Sequence, residues 1–101
     1  MGASATRQVQ VTIDQYQLGV AIPAALHTLG WSFSQTAPTS YRASAKIGWL
    51  SWGENIMIDF SYPGWLKITS RCAFPLQLVD WGKNNQNIDK LIEQLPFVVP
   101  G

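Results

Sequence analysis

Charge is what this sequence has least of. Only 13% of its 101 residues are Asp, Glu, Lys or Arg, about half the usual share for a globular domain. The formal net charge of +1 gives no global pull towards nucleic acid or anionic lipid. Any electrostatic role must come from uneven placement of charge. A surface this poor in charge relies on Ser, Thr, Asn and Gln, or hides area against a partner. Cysteine is nearly absent as well. Cys72 stands alone, which excludes an internal disulfide and fits a reducing cytoplasm. A single Cys and a single His, His27, do not make a metal site, and no cofactor motif is present. No apolar run approaches the roughly 18 residues that a membrane span needs. The N-terminus lacks the charged-then-apolar pattern of a leader. There is no long-period repeat and no low-complexity tract.

What is present is a hydrophobic fraction of 47% with five Trp, which places the chain among globular proteins. The length allows one domain, with a core at about 7–95 and loose ends at 1–6 and 96–101. The organising stretch is Tyr41–Arg71. Three runs alternate there, at 41–47, 55–60 and 65–71, each with one apolar and one polar face. That pattern is expected of antiparallel strands covered on one side only. The polar faces collect Arg42, Lys46, Lys67 and Arg71 around one acid, Asp59. Four of seven cations and one of six acids fall there, a local excess of +3.

Facing constrains register, because opposed residues of an antiparallel pair share a face. Even positions are apolar in both 55–60 and 65–71, so their connection has odd length. A loop Tyr62-Pro63-Gly64 sets Asp59 opposite Lys67. The run 41–47 is apolar at odd positions, so its connection to the next run has even length. A loop 48–53 sets Arg42 opposite Asp59, and a loop 50–53 sets Ser44 there.

Before this stretch, Gln8–Ile13 alternates as a first strand with Val9, Val11 and Ile13 on one face. Asp14 and Gln17 form a capping-box pattern. The helix that follows carries Leu18, Ile22, Leu26 and Leu29 as a stripe, with Pro23 predicting a kink or a late start and Gly30 a stop. Trp31–Gln35 alternates again, with Trp31 and Phe33 inward. After Arg71, Phe74, Leu76 and Leu78 alternate, but Pro75 argues for an extended connection or an edge. A second helix carries Ile88, Leu91, Ile92 and Leu95 and ends at Pro96. The fold class is therefore α+β, in the order β-α-β-β-β-β-α: a five-stranded antiparallel sheet with both helices on one face.

This order resembles, over residues 7–95, one repeat of the TATA-box-binding protein fold, whose unit is β-α-β4-α. The likeness is topological and rests on no shared motif, so it carries no DNA binding with it; a full saddle would need a dimer. Separately, Gly48-Trp49-Leu50-Ser51-Trp52-Gly53-Glu54 and Asp80-Trp81-Gly82-Lys83-Asn84 resemble signatures of small uncharacterised bacterial domains. In those a glycine–tryptophan hairpin loop precedes an aspartate–tryptophan–glycine–lysine–asparagine run. That likeness covers most of the chain after Asp14 and implies no activity.

Four constellations are candidates for function. Arg42, Lys46, Lys67 and Arg71, with Ser32, Ser34, Thr36, Ser44 and Thr69 as extra donors and with Trp65 and Met57 as apolar surface, are suited to phosphate or carboxylate. An ordinary solvated sheet face has the same composition. Trp49 and Trp52 form either a projecting aromatic tip or a plug at the end of the core. Asp80-Trp81-Gly82-Lys83-Asn84 either caps the last helix, with Asp80 as cap and Gly82 at positive φ, or binds an anion with help from Lys83. It lacks the glycine spacing of a phosphate loop. His27 and Cys72 lie on different faces and do not form a nucleophile–base pair.

The expectation is a non-enzymatic binding domain acting through its open sheet face, on a protein partner or a second copy. Nucleic acid or a small anion at the basic residues is the alternative.

Overall fold

The computed structural model describes residues 4–45, 53–73 and 82–100. Its element order is β1 (Ser4–Gln10), α1 (Gln15–Thr28), β2 (Ser32–Ala37), β3 (Ser40–Ala45), β4 (Glu54–Asp59), β5 (Trp65–Cys72) and α2 (Lys83–Glu93). The strands form one antiparallel sheet in the order β1-β5-β4-β3-β2. Both helices share a single core with one face of it; α1 lies against β2, and α2 against β1 and β5. The α+β class, the element order and the one-sided cover are as the sequence pattern requires.

Alternation produces that one-sidedness. Tyr41, Ala43 and Ala45 of β3, Ile56 and Ile58 of β4, and Leu66 and Ile68 of β5 are all buried, with exposed or half-buried residues between them. They meet Leu18, Ile22, Ala25 and Leu26 of α1 and Ile88 and Leu91 of α2. Each leucine or isoleucine among them contributes roughly 1.5–3 kcal/mol by leaving water.

The boundaries of α1 are set by local chemistry. The Asp14 carboxylate accepts the Gln17 N–H at 2.8 Å, and Gln17 Oε1 accepts the Asp14 N–H at 3.0 Å. At the other end Gly30, at φ +74°, lets the Trp31 N–H reach Leu26 O and the Gly30 N–H reach His27 O. That is a Schellman stop. Gln15 Nε2 donates to Phe60 O and Ser61 O, tying the helix start to the β4–β5 turn.

Pro23 lies inside α1 and neither delays its start nor ends it. The reason is tertiary. Proline leaves the carbonyl four residues earlier, that of Gly19, without a helical donor. The Tyr41 hydroxyl donates to that oxygen at 3.3 Å. Tyr41→Phe is therefore expected to cost about 1 kcal/mol. In a Pro23→Ala background, where a backbone N–H returns, the cost falls close to zero. A double-mutant cycle by urea unfolding reads the coupling, and equal losses in both backgrounds reject the account.

Several boundaries differ from the pattern. β1 runs from Ser4 to Gln10, and Val11 makes only an isolated bridge, to Val98. Residues 97–99 turn back along the end of β1, so this part of the C-terminal segment is bonded and not loose. β2 is exposed along its whole length: Trp31 packs half-buried on the core, whereas Phe33 keeps 38% exposure at the sheet edge. The β3–β4 register sets Ser40, and neither Arg42 nor Ser44, opposite Asp59. The connection is 46–53, so the even length holds while the register moves by two residues. The odd β4–β5 loop and the Asp59–Lys67 pair are as expected. The N-cap of α2 is Gly82, at φ +79° and with no side-chain cap, and not Asp80.

Candidate functional site: the open face of the sheet

The uncovered face is a grid of cross-strand rows. One row is Ser4–Arg71–Asn55–Ser44–Ser32 and the next is Thr6–Thr69–Met57–Arg42–Ser34. A third begins Gln8–Lys67–Asp59–Ser40, with Gln10 and Trp65 beyond it. Of the predicted basic set, Arg42, Lys67 and Arg71 stand on this face; Lys46 lies outside the described residues. Strand spacing of about 4.8 Å and a rise of about 3.4 Å per residue put the three Cα atoms roughly 12–14 Å apart, as a triangle. Met57, 45% exposed, sits within it. Among the described residues the single salt bridge is Arg7 with Asp89, so none of the three cations makes one there, although Lys67 stands opposite Asp59 and interacts with its charge.

Arg7 itself belongs to the covered face. It alternates with Ala5 and Val9 and reaches Asp89 and Asn85 on α2. Being well exposed, that pair is worth at most about 1 kcal/mol.

Asp59, directly opposite Lys67, is held ionised chiefly by a backbone bond. Its Oδ1 accepts the Ser61 N–H at 2.8 Å. This backbone bond is the main cause of a carboxyl pKa held below 3.8; the Ser61 side chain adds to it, Lys67 adds least, and burial opposes them. The sign follows from linkage. A depressed folded-state pKa stabilises the fold above the unfolded value near 3.8, and that gain disappears as pH falls through the folded value. The stability difference between wild type and Asp59→Asn should therefore shrink in acid. Thermal melts between about pH 6 and pH 2 measure it, and a constant difference contradicts the assignment.

Two of the grooves on this face adjoin Lys67 and Arg42. One of about 450 Å³ is lined by Gln8, Asp59, Tyr62, Trp65 and Lys67. Tyr62 is 71% exposed and Trp65 42%. The other, of about 270 Å³, runs beside Ser32, Ser34, Arg42, Ser44 and Asn55. An aromatic side chain next to Lys67 offers stacking and charge together. Trp49 and Trp52 lie outside the described residues.

On the opposite face, the last residues of the two tryptophan-containing motifs belong to one buried network. Glu54 closes the first motif and Asn84 the second. Both are buried, with Ser70, Cys72 and Asn87. Asn87 Nδ2 donates to Glu54 Oε1 at 2.8 Å and to Ser70 Oγ at 3.3 Å. Ser70 Oγ donates to Asn84 Oδ1 at 2.8 Å, and Asn84 Nδ2 approaches Cys72 Sγ at 3.5 Å. Glu54 and Cys72 are cross-strand neighbours. Cys72 thus meets asparagine and glutamate, while His27 stays exposed on α1. The signal was available: Asn84, Asn87, Ile88 and Leu91 recur at the spacing of an apolar stripe, and Ser70 and Glu54 hold inward strand parity.

At the start of α2, Lys83 is the first helical residue, directly after Gly82. Asp80 and Trp81 lie outside the described residues. Among the described residues no three of His, Cys, Asp and Glu are grouped to hold a metal, and no helix is long and apolar enough to cross a membrane. Comparison with known proteins finds no matching family model and no matching curated protein.

Proposed function

We propose that this is a non-enzymatic binding domain whose open sheet face takes single-stranded nucleic acid. The observation that carries the reading is the triangle of Arg42, Lys67 and Arg71 on one solvent-facing surface, with no salt bridge to any of them among the described residues and one acid, Asp59, beside Lys67. Around it lie neutral donors and acceptors, Ser, Thr, Asn and Gln, which suit sugar and phosphate oxygens. Trp65 and Met57 give bases a surface on which to lie. A small anion alone would use the cations and leave the apolar surface idle.

Face-to-face association with a second copy is the other use expected of this surface. It sets three cations and one carboxylate, Asp59, against the same set, an excess of positive charge on each side. That arrangement is repulsive, so nucleic acid is the better fit. The test is a salt titration of binding to single- and double-stranded oligonucleotides. Affinity for the single strand that falls with salt supports the reading, and salt-insensitive binding or none removes it.

A further inference from the structure

The two edges of the sheet are treated differently. On β1 the Val11 N–H turns inward to Gly64 O, so the backbone groups of Gln10 and Thr12 face outward. There they are met: the Val99 N–H donates to Gln10 O at 2.8 Å, and the Thr12 N–H to Phe97 O at 3.0 Å. The other edge, β2, has no such cover among the described residues. All six of its residues are exposed and none is charged. Sheet edges are normally guarded by lysine, proline, a covering segment or a bulge. Among the described residues the guard here is a bulge between Gln35 and Ala37, which leaves Ser32–Gln35 regular.

A second observation is independent of this edge. Residues 15–41 contain no Asp, Glu, Lys or Arg. They include α1, whose outer side exposes Tyr16 at 82% and Val20 at 63%. A helix that exposes two large apolar side chains and no charge, packed beside an unguarded strand, marks a surface suited to contact.

We infer that β2 pairs antiparallel with β2 of a second copy. Two five-stranded sheets then become one sheet of ten strands. Antiparallel self-pairing is what a two-fold axis produces, and each residue then meets itself or a near neighbour. Only a surface without charge meets its own copy with no like-charge contact, and the 15–41 stretch is such a surface. Phe33, half-covered by its edge-on contact with Tyr41, gains a neighbour. A standard interface of about 800 Å² per partner is roughly an eighth of the 6291 Å² molecular surface, within reach of one edge strand and the flank of one helix. Pairing at this edge leaves the open face uncovered and extends it, so the inference stands apart from the nucleic-acid reading.

Light scattering across a concentration series, with amide exchange on the same samples, tests the dimer. The mass of the intact chain should rise towards twice the monomer, and the outward-facing amides of β2 should exchange more slowly as concentration rises. Phe33→Lys with Gln35→Lys should abolish both effects and leave the helical circular dichroism unchanged. A mass that stays monomeric, or a lysine variant that dimerises like wild type, overturns the inference. So does protection of β2 that appears only on adding an unrelated extended peptide. Should the lysine pair not fold, exchange of wild-type β2 decides alone: rates independent of concentration overturn it.

Discussion

Asn87→Leu should destabilise the fold by about 3 kcal/mol, although it adds apolar volume to a core position. Asn87 is 2% exposed, and its amide donates to both Glu54 and Ser70. Leucine fills the space but leaves a buried carboxyl oxygen and a buried hydroxyl short of a donor. Removing one partner of a buried polar pair costs far more than the pair contributes net, of order 1–3 kcal/mol for neutral groups and more for a carboxylate. For a chain of this size the melting temperature should drop on the order of 15 °C. Glu54→Gln keeps an acceptor oxygen facing Asn87 and should cost under about 1 kcal/mol. Combining Glu54→Leu with Asn87→Leu removes both ends of the contact and should recover part of the loss. Gln86→Leu, on the exposed side of the same helix, is the control. Urea unfolding of the four variants reads these differences. If Asn87→Leu behaves like Gln86→Leu, the network is not what seats α2 on the sheet.

The second large effect concerns the open face. Three phosphate contacts give a slope of log affinity against log salt near −2 for a single strand, or about a 20-fold loss between 50 and 200 mM. Arg42→Gln should reduce that slope by about 0.7. Arg42→Glu with Arg71→Glu turns the triangle from three positive charges to one positive and two negative, and should abolish salt-sensitive binding. Both arginines are exposed and unpaired with acids among the described residues, so the melting temperature should stay near the wild-type value. Trp65→Ala should weaken binding by about 1–3 kcal/mol if a base stacks there. Fluorescence anisotropy with a labelled oligonucleotide measures all three. A charge-reversed protein that binds as wild type does would remove the face from consideration.

Much of this was legible in the sequence, and the reason is period. Side chains of a strand alternate between faces, so the parity of Ile56, Ile58, Leu66 and Ile68 assigned a covered face, and the same parity put Arg42, Lys67 and Arg71 on the other. Asp14, Gln17 and Gly30 marked the ends of α1 because capping is local chemistry. Parity is blind, however, to a slip of two residues, which preserves every face. The sequence therefore left Arg42 or Ser44 opposite Asp59, while the 46–53 connection puts Ser40 there. Asp59 therefore stands opposite Lys67, as expected, and not opposite Arg42.

Tertiary structure decided what depends on partners distant in the chain. Pro23 reads as a helix breaker until the Tyr41 hydroxyl supplies the missing donor. Asn84, Asn87, Ser70 and Glu54 have no partner named in the sequence until the fold brings them together and they bond to one another. Composition and alternation alone determined a small α+β domain with one bare face and too little charge to cover it. Which polar groups could be buried, and which edge the described residues leave uncovered, were settled only by packing, because a hydrogen bond needs a partner in space and the sequence names none.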